Sequence, residues 1–272
     1  MNYFFPKKTS IILPQGKKSR VTTNLYDPTP LSLMTSMLYL AFKFPDNCVV
    51  IPFDRVNRRS SEPYDQKIAS LVWYESSKTL RPPKNFWQAF KKCEKTSKRF
   101  IIFPLTIEWK KNQGSHANFM IYDKKLKTLE RFEPYGDLPS PQLDKTLKDT
   151  FVKKIGPDFL KKYYPPPAFC PDESFQELQE KEQKIVSSDR LPGFCQAWSS
   201  WYADLRLSNP EIPPKELVDL AFKKIKKDKR SFTDFIRSYA DFQNEWNNIV
   251  VGHPNKQYGN LVSEYLKEAS FL

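Results

Sequence analysis

Two histidines, His116 and His253, and four cysteines, Cys48, Cys93, Cys170 and Cys195, are the residues of this 272-residue chain best suited to nucleophilic chemistry. A cysteine nucleophile needs a base to take its proton, and the base needs a third group to orient it. With so few histidines the choice of base is nearly forced, and His116 has an acid, Glu133, within reach along a short stretch of chain. Cys195 follows the turn signal Pro192-Gly193 and opens a run with Trp198, Trp201, Tyr202 and Leu205 at helical spacing. A sulfur at a helix start lies near unpaired backbone N–H groups and the positive end of the helix dipole, and both favour the thiolate. The same N–H groups can hold an oxyanion. Taken singly, a cysteine at a helix start is usually a small buried residue, and a histidine beside a glutamate is often a surface pair. Their joint order makes His116, Glu133 and Cys195 the candidate catalytic residues.

The elements that must position them are legible in outline. Residues 115–135 read SHANFMIYDKKLKTLERFEPY, two apolar-rich runs around a polar Asp123-Lys124-Lys125, which predicts a hairpin with strands near 116–123 and 126–133. A two-residue turn at Lys124-Lys125 pairs Asp123 with Leu126 and sets His116 directly opposite Glu133, on one face. Further strands are expected near 48–53 and 100–109. Helices are expected over 30–43, 66–77, 86–98, 142–155, 195–207, 213–227 and 231–251, with a last short one near 259–268. Residues 163–171 read as a proline-rich crossing and 173–188 as a polar, acidic segment. The chain is expected to be a basic N-terminal arm (1–29) followed by a single α+β domain (30–272), its residues 208–272 a helical C-terminal extension. In that domain a small, mostly antiparallel sheet packs against helices, and the Cys195 helix runs through the centre.

Composition limits the function classes. Hydrophobic residues make up 39% and aromatics 15%, which excludes a disordered or low-complexity chain. The 44 Lys and Arg outnumber 31 Asp and Glu, a net charge of +13 that attracts polyanions or simply solvates the surface. Lys161-Lys162 with Tyr163-Tyr164, and the run Lys223 to Arg230, offer charge and stacking for non-specific DNA or RNA contact, but no nucleic-acid motif accompanies them. No CxxC pair exists, so no metal or cofactor is expected, and wide cysteine spacing argues against a disulfide framework and for a reducing compartment. Cys48 and Cys93 are expected to pack in the core as thiols, and His253 to sit in a turn. No apolar run is long enough for a signal h-region or a membrane span.

The run His116-Ala117-Asn118-Phe119 through Arg131-Phe132-Glu133-Pro134-Tyr135-Gly136 resembles the His-to-acid segment of the adenovirus-endopeptidase and ubiquitin-like-protease cysteine peptidases. In that family a histidine, a strand, a basic turn and a strand also lead to a Phe-Glu-Pro-aromatic-Gly element. Gly193-Phe194-Cys195 and the apolar helix after it resemble the nucleophile segment, and the likeness covers roughly residues 100–207. The resemblance implies a papain-like peptidase fold, with His116 as general base, Glu133 as its orienting acid and Cys195 as nucleophile. It implies cleavage of peptide or isopeptide bonds in a viral precursor or ubiquitin-like conjugate, and DNA as a conceivable activator. A large-DNA-virus source and a virion or infected-cell cytoplasm would suit it. Three positions depart from the family's pattern. Ser188 and Asp189 stand where relatives carry an oxyanion-hole Gln, the nearest upstream Gln being Gln183; Gln196 replaces a common Gly; Ala117 replaces an aromatic. These departures point to the second reading, a catalytically inactive peptidase-like structural or binding protein of a virion.

Overall fold

The computed structural model describes residues 11–15, 26, 30–50, 70–109, 114–136, 140–183, 194–228 and 231–252. Among them lie seven strands, β1 (Cys48–Val49), β2 (Leu71–Tyr74), β3 (Thr79–Arg81), β4 (Phe100–Glu108), β5 (Ser115–Asp123), β6 (Thr128–Phe132) and β7 (Lys162–Tyr164). The helices are α1 (Pro30–Lys43), α2 (Phe86–Lys95), α3 (Pro141–Ile155), α4 (Phe175–Gln183), α5 (Cys195–Ser208), α6 (Pro214–Lys227) and α7 (Phe232–Gly252). The strands form one sheet in the order β3-β2-β4-β5-β6-β7, with β1 also pairing β4. Its longest ladders, β4 with β5 and β5 with β6, are antiparallel. The architecture is α+β.

Alternation along β4 and β5 builds two cores, because successive side chains leave a strand on opposite faces. Phe100, Ile102, Phe119, Ile121 and Phe132 face α1, α5, α6 and α7. Ile101, Phe103, Leu105, Met120 and Tyr122 face α2 and α3, where Phe86 and Phe90 pack edge to face on Phe103 and Phe151 stacks on it. Helix α5 is buried on every side, from Cys195 to Leu207, and lies in the first core as its central helix. The sequence pattern suggested only an apolar stripe. The polar residues that break the stripe are buried too, and three of them find partners on other elements. Ser199 donates to the Ala117 carbonyl, Asp204 accepts from Tyr39 and Lys43, and Arg206 donates to Glu130.

Several local expectations need correction. Residues 71–74, expected in a helix over 66–77, form β2, because Leu-Val-Trp-Tyr is a β-branched and aromatic run whose burial alternates with period two. Residues 66–69 lie outside the described set, as does the part of the expected 48–53 strand beyond residue 50. The acidic 173–188 segment contains α4, whose start is marked by Ser174: its hydroxyl accepts the N–H of Glu177, the Ser-x-x-Glu signature of a helix beginning. Cys48 and Cys93 do not pack as thiols but are joined as a disulfide, with Cα atoms 5.6 Å apart and a sequence separation of 45. Part of the basic arm rests on the core. Ile12 and Asn209 exchange two hydrogen bonds, Trp201 donates to the Pro14 carbonyl, and Tyr26 is fully buried. The expected helix near 259–268 and His253 lie outside the described residues, and no described helix is long and apolar enough to cross a membrane.

Candidate active site

The hairpin that carries His116 closes with a longer turn than expected. Asp123 pairs with Thr128, not Leu126, leaving residues 124–127 as the turn. The cause is local: an Asp123 carboxylate oxygen accepts the N–H groups of Lys125 and Leu126, and Lys127 takes φ 57° to rejoin the strand. The register therefore moves by two residues. His116 is not directly opposite Glu133, and the position continuing the ladder opposite Glu133 is Asn118. Because side chains alternate with period two, a two-residue shift keeps the same face. His116 and Glu133 become diagonal neighbours, a separation their long side chains span.

The His116 Nε2 lies 2.5 Å from Glu133 Oε1. The carboxylate has three further donors: the Tyr135 backbone N–H on Oε1 at 3.0 Å, Asn118 Nδ2 on Oε2 at 3.0 Å, and Arg131 Nη1 on Oε2 at 3.5 Å. With only 3% of Glu133 exposed, these bonds must stabilise its charge in place of water. The Pro134-Tyr135-Gly136 turn holds it from behind. Gly136 adopts φ +81°, and a Cβ there would collide with the Pro171 carbonyl oxygen and the Ser174 side chain.

Cys195 reaches the same imidazole from the other element. Ser199, one turn along α5, bonds the Ala117 carbonyl, and Tyr202 stacks on Phe132 with ring centroids 4.1 Å apart. These contacts fix the start of α5 against the hairpin end that carries His116 and Glu133. Cys195 shares a side-chain hydrogen bond with His116. Since Glu133 engages Nε2, Nδ1 is the ring nitrogen left for the sulfur.

Burial works against a charged imidazole, yet Glu133 first, then Cys195, outweigh it and push His116 up to about 10. Burial likewise opposes the Glu133 carboxylate, and the His116 charge and hydrogen bond, helped by Arg131 and the Tyr135 N–H, hold it below its usual range. Cys170, the other free thiol, is buried and pushed up chiefly by that burial. The pair at the base of the site is thus built to stay ionised, which the Cys170 thiol is not.

Sequence reasoning singled out His116, Glu133 and Cys195; the structure also brings in Asn118, Arg131 and Tyr135. Asn118 and Arg131 fall on the face of His116 and Glu133 in either register, but only the four-residue turn sets Asn118 opposite Glu133. Tyr135 lies beside the imidazole, with ring centroids 5.3 Å apart. Gln196 does not point to the reacting centre: its Nε2 donates to Tyr26 and to Ser32 at 3.0 and 2.9 Å. Ser188 and Asp189 lie outside the described residues. Of the basic clusters, Lys224 donates to the Ile11 carbonyl, Lys226 pairs with Glu173, and Lys162 lies over the Tyr164 ring. Among the described residues, no group of three His, Cys, Asp or Glu is placed to hold a metal ion.

No protein-family profile matches the chain. A putative ankyrin repeat protein of Acanthamoeba polyphaga mimivirus is 30% identical over 154 residues, which are 52% of this chain and 20% of that protein. The chain therefore spans about a fifth of the length of that curated relative. Among solved structures, the Chlamydia trachomatis effector protein Cdu1 bound to ubiquitin aligns over 84% of this chain and 96% of its own, with 12% identity and a TM-score of 0.48. The C-terminal Ulp1 protease domain in complex with Smt3, the yeast ortholog of SUMO, aligns over 60% and 63%, with 15% identity and a TM-score of 0.29.

Proposed function

We propose that this chain is a thiol peptidase or isopeptidase in which Cys195 is the nucleophile, His116 the acid–base and Glu133 the group that orients it. One observation carries the reading: a single buried imidazole is hydrogen-bonded to a carboxylate on one side and to a cysteine at a helix start on the other. Such a constellation activates a thiol toward an acyl carbon.

The cycle follows from these positions. With the proton between them held on His116 Nδ1, the Cys195 sulfur attacks the scissile carbonyl. The carbonyl π electrons move to oxygen, giving a tetrahedral oxyanion. As it collapses, the C–N bond breaks and His116 returns its proton to the leaving amine, leaving a thioester on Cys195. Water then attacks the thioester carbonyl, giving its proton to His116. The C–S bond breaks, the carboxylic acid departs, and the sulfur is freed beside His116, which keeps the proton. Glu133 stays ionised throughout and balances the imidazolium. The first N–H groups of a helix lack intrahelical partners, so those of Cys195 and Gln196 are the donors offered to the oxyanion. The Gln196 amide is already committed to Tyr26 and Ser32.

Both a ubiquitin-like conjugate and a viral precursor fit a thiol acyl transfer, and the likeness to a mimivirus protein makes the second worth including. The test is a panel: ubiquitin and ubiquitin-like modifiers bearing a C-terminal electrophile, fluorogenic peptides, and candidate viral precursors. A probe adduct on Cys195, lost in Cys195→Ala, is expected. The rival reading, a scaffold that binds without cutting, draws on a specific observation: Cys195 and His116 are only 6% and 7% exposed. Binding of a modifier with no adduct and no cleavage would favour it.

A further inference from the structure

Behind Glu133 a chain of buried polar groups runs across the hairpin to α3 and β7, and the acyl-transfer steps do not use it. Asn118 is fully buried, and its Oδ1 accepts Arg131 Nη1 at 2.6 Å while its Nδ2 donates to Glu133 Oε2 at 3.0 Å. The reverse amide orientation would put oxygen against carboxylate and NH₂ against guanidinium, so the chemistry of its neighbours fixes the side chain. Arg131 is also fully buried. Its Nε and Nη2 grip both oxygens of Asp144 at 2.8 and 3.0 Å, a fork-to-fork pair, and Tyr163 donates to the same Asp144 at 2.6 Å.

A buried guanidinium is costly to keep unless it is matched and its donors are used. Here the charges pair off: Asp144 on α3 answers Arg131 on β6, and His116 on β5 answers Glu133. Asn118 is the neutral piece that couples the two pairs. It takes one oxygen of Glu133, so Oε1 is the oxygen left to His116 and the Tyr135 N–H. A carboxylate gripped at one oxygen cannot rotate away from the imidazole.

Resting on the peptidase reading for its site, we infer that Asn118 and Arg131 are positioning residues that lock the Glu133 carboxylate onto His116, anchored to α3 through Asp144. Neither touches the reacting atoms. Their effect passes through the orientation and ionisation of Glu133 and so appears in the titration of His116. The charged and titratable groups around that centre are Cys195 on α5, Cys170 before α4, Tyr135 and its partner Glu180 on α4, Arg131, Asp144, and Tyr163 on β7.

The experiment follows the His116 ring by NMR over pH in the wild type, Asn118→Ala and Asp144→Asn, alongside electrophile labelling of Cys195. Thermal unfolding serves as the control for folding. Losing the Asn118 donor weakens the hold on ionised Glu133, so the His116 midpoint in Asn118→Ala should fall by about one pH unit or more. Labelling should slow roughly tenfold or more, a fraction of the ~10⁴ that an orienting acid can supply. Asp144→Asn, a change at a less buried side chain, should move the midpoint in the same direction and decides the matter if Asn118→Ala does not fold. A folded variant whose His116 titrates as in the wild type overturns the inference, and wild-type labelling would leave the peptidase reading standing. Conversely, a midpoint that drops in the variants while no electrophile labels wild-type Cys195 would uphold the positioning chain and remove the peptidase reading.

Discussion

At the scale of residues, the site is an exercise in keeping charge inside a protein. His116 and Glu133 are both buried, and each supplies what the other lost with water. The sign of the coupling gives a pH prediction. The folded His116 value of about 10 exceeds the ordinary ~6.5, so its stabilisation is complete below about pH 6.5 and is lost as pH rises toward 10. Glu133 is held below its ordinary value, so its stabilisation is present above about pH 4.3 and is lost as pH falls through the lowered value. Urea unfolding at pH 6 and pH 9 should show a larger loss of stability for the wild type than for His116→Gln. Equal losses would mean the pair is not coupled. The identities of these residues could be read from the sequence because so few histidines compete. The donors around them could not, since Asn118 and Arg131 look like ordinary polar strand residues until the hairpin register is known.

At the scale of elements, the turn decides the site. The apolar runs predicted the hairpin, but the Asp123 carboxylate, bonding two turn N–H groups, sets a four-residue connection and moves the register by two. Period-two alternation protected the facing relation from that error; a one-residue error would have separated the pair. The Pro134-Tyr135-Gly136 turn is equally decisive. Gly136→Ala places a methyl group in a left-handed conformation against the Pro171 carbonyl, so it should cost roughly 1–3 kcal/mol and slow labelling of Cys195 by displacing Glu133. A variant as stable and as reactive as the wild type would show that the turn does not position the acid. Helix α4 was hidden in the sequence because it is acidic and carries little apolar pattern. Its Ser174–Glu177 start is a single local signal with no apolar periodicity behind it.

At the scale of the whole molecule, distant segments meet: a hairpin at 115–132, a helix beginning at 195, and fragments near residues 11–15 and 26 lying against that helix. Long-range meetings of this kind are not written in periodicity. The sheet's helix-covered faces were inferable from apolar strands; the disulfide between β1 and α2 was not, because wide cysteine spacing pointed to thiols. A closed loop of 45 residues limits the unfolded chain. A chain-entropy treatment makes that worth about 4 kcal/mol, so Cys48→Ala/Cys93→Ala should melt well below the oxidised wild type. An unchanged melting point would show that the bridge carries no stability. The central claim is the meeting of one sulfur with one paired imidazole. The most direct test is the rate at which iodoacetamide alkylates Cys195 near neutral pH, followed by peptide mass spectrometry in the wild type and His116→Gln, with buried Cys170 as internal reference. The account predicts selective reaction at Cys195, slowed roughly a hundredfold by loss of the base. Equal rates in the two proteins, or reaction at Cys170 as fast as at Cys195, would contradict it.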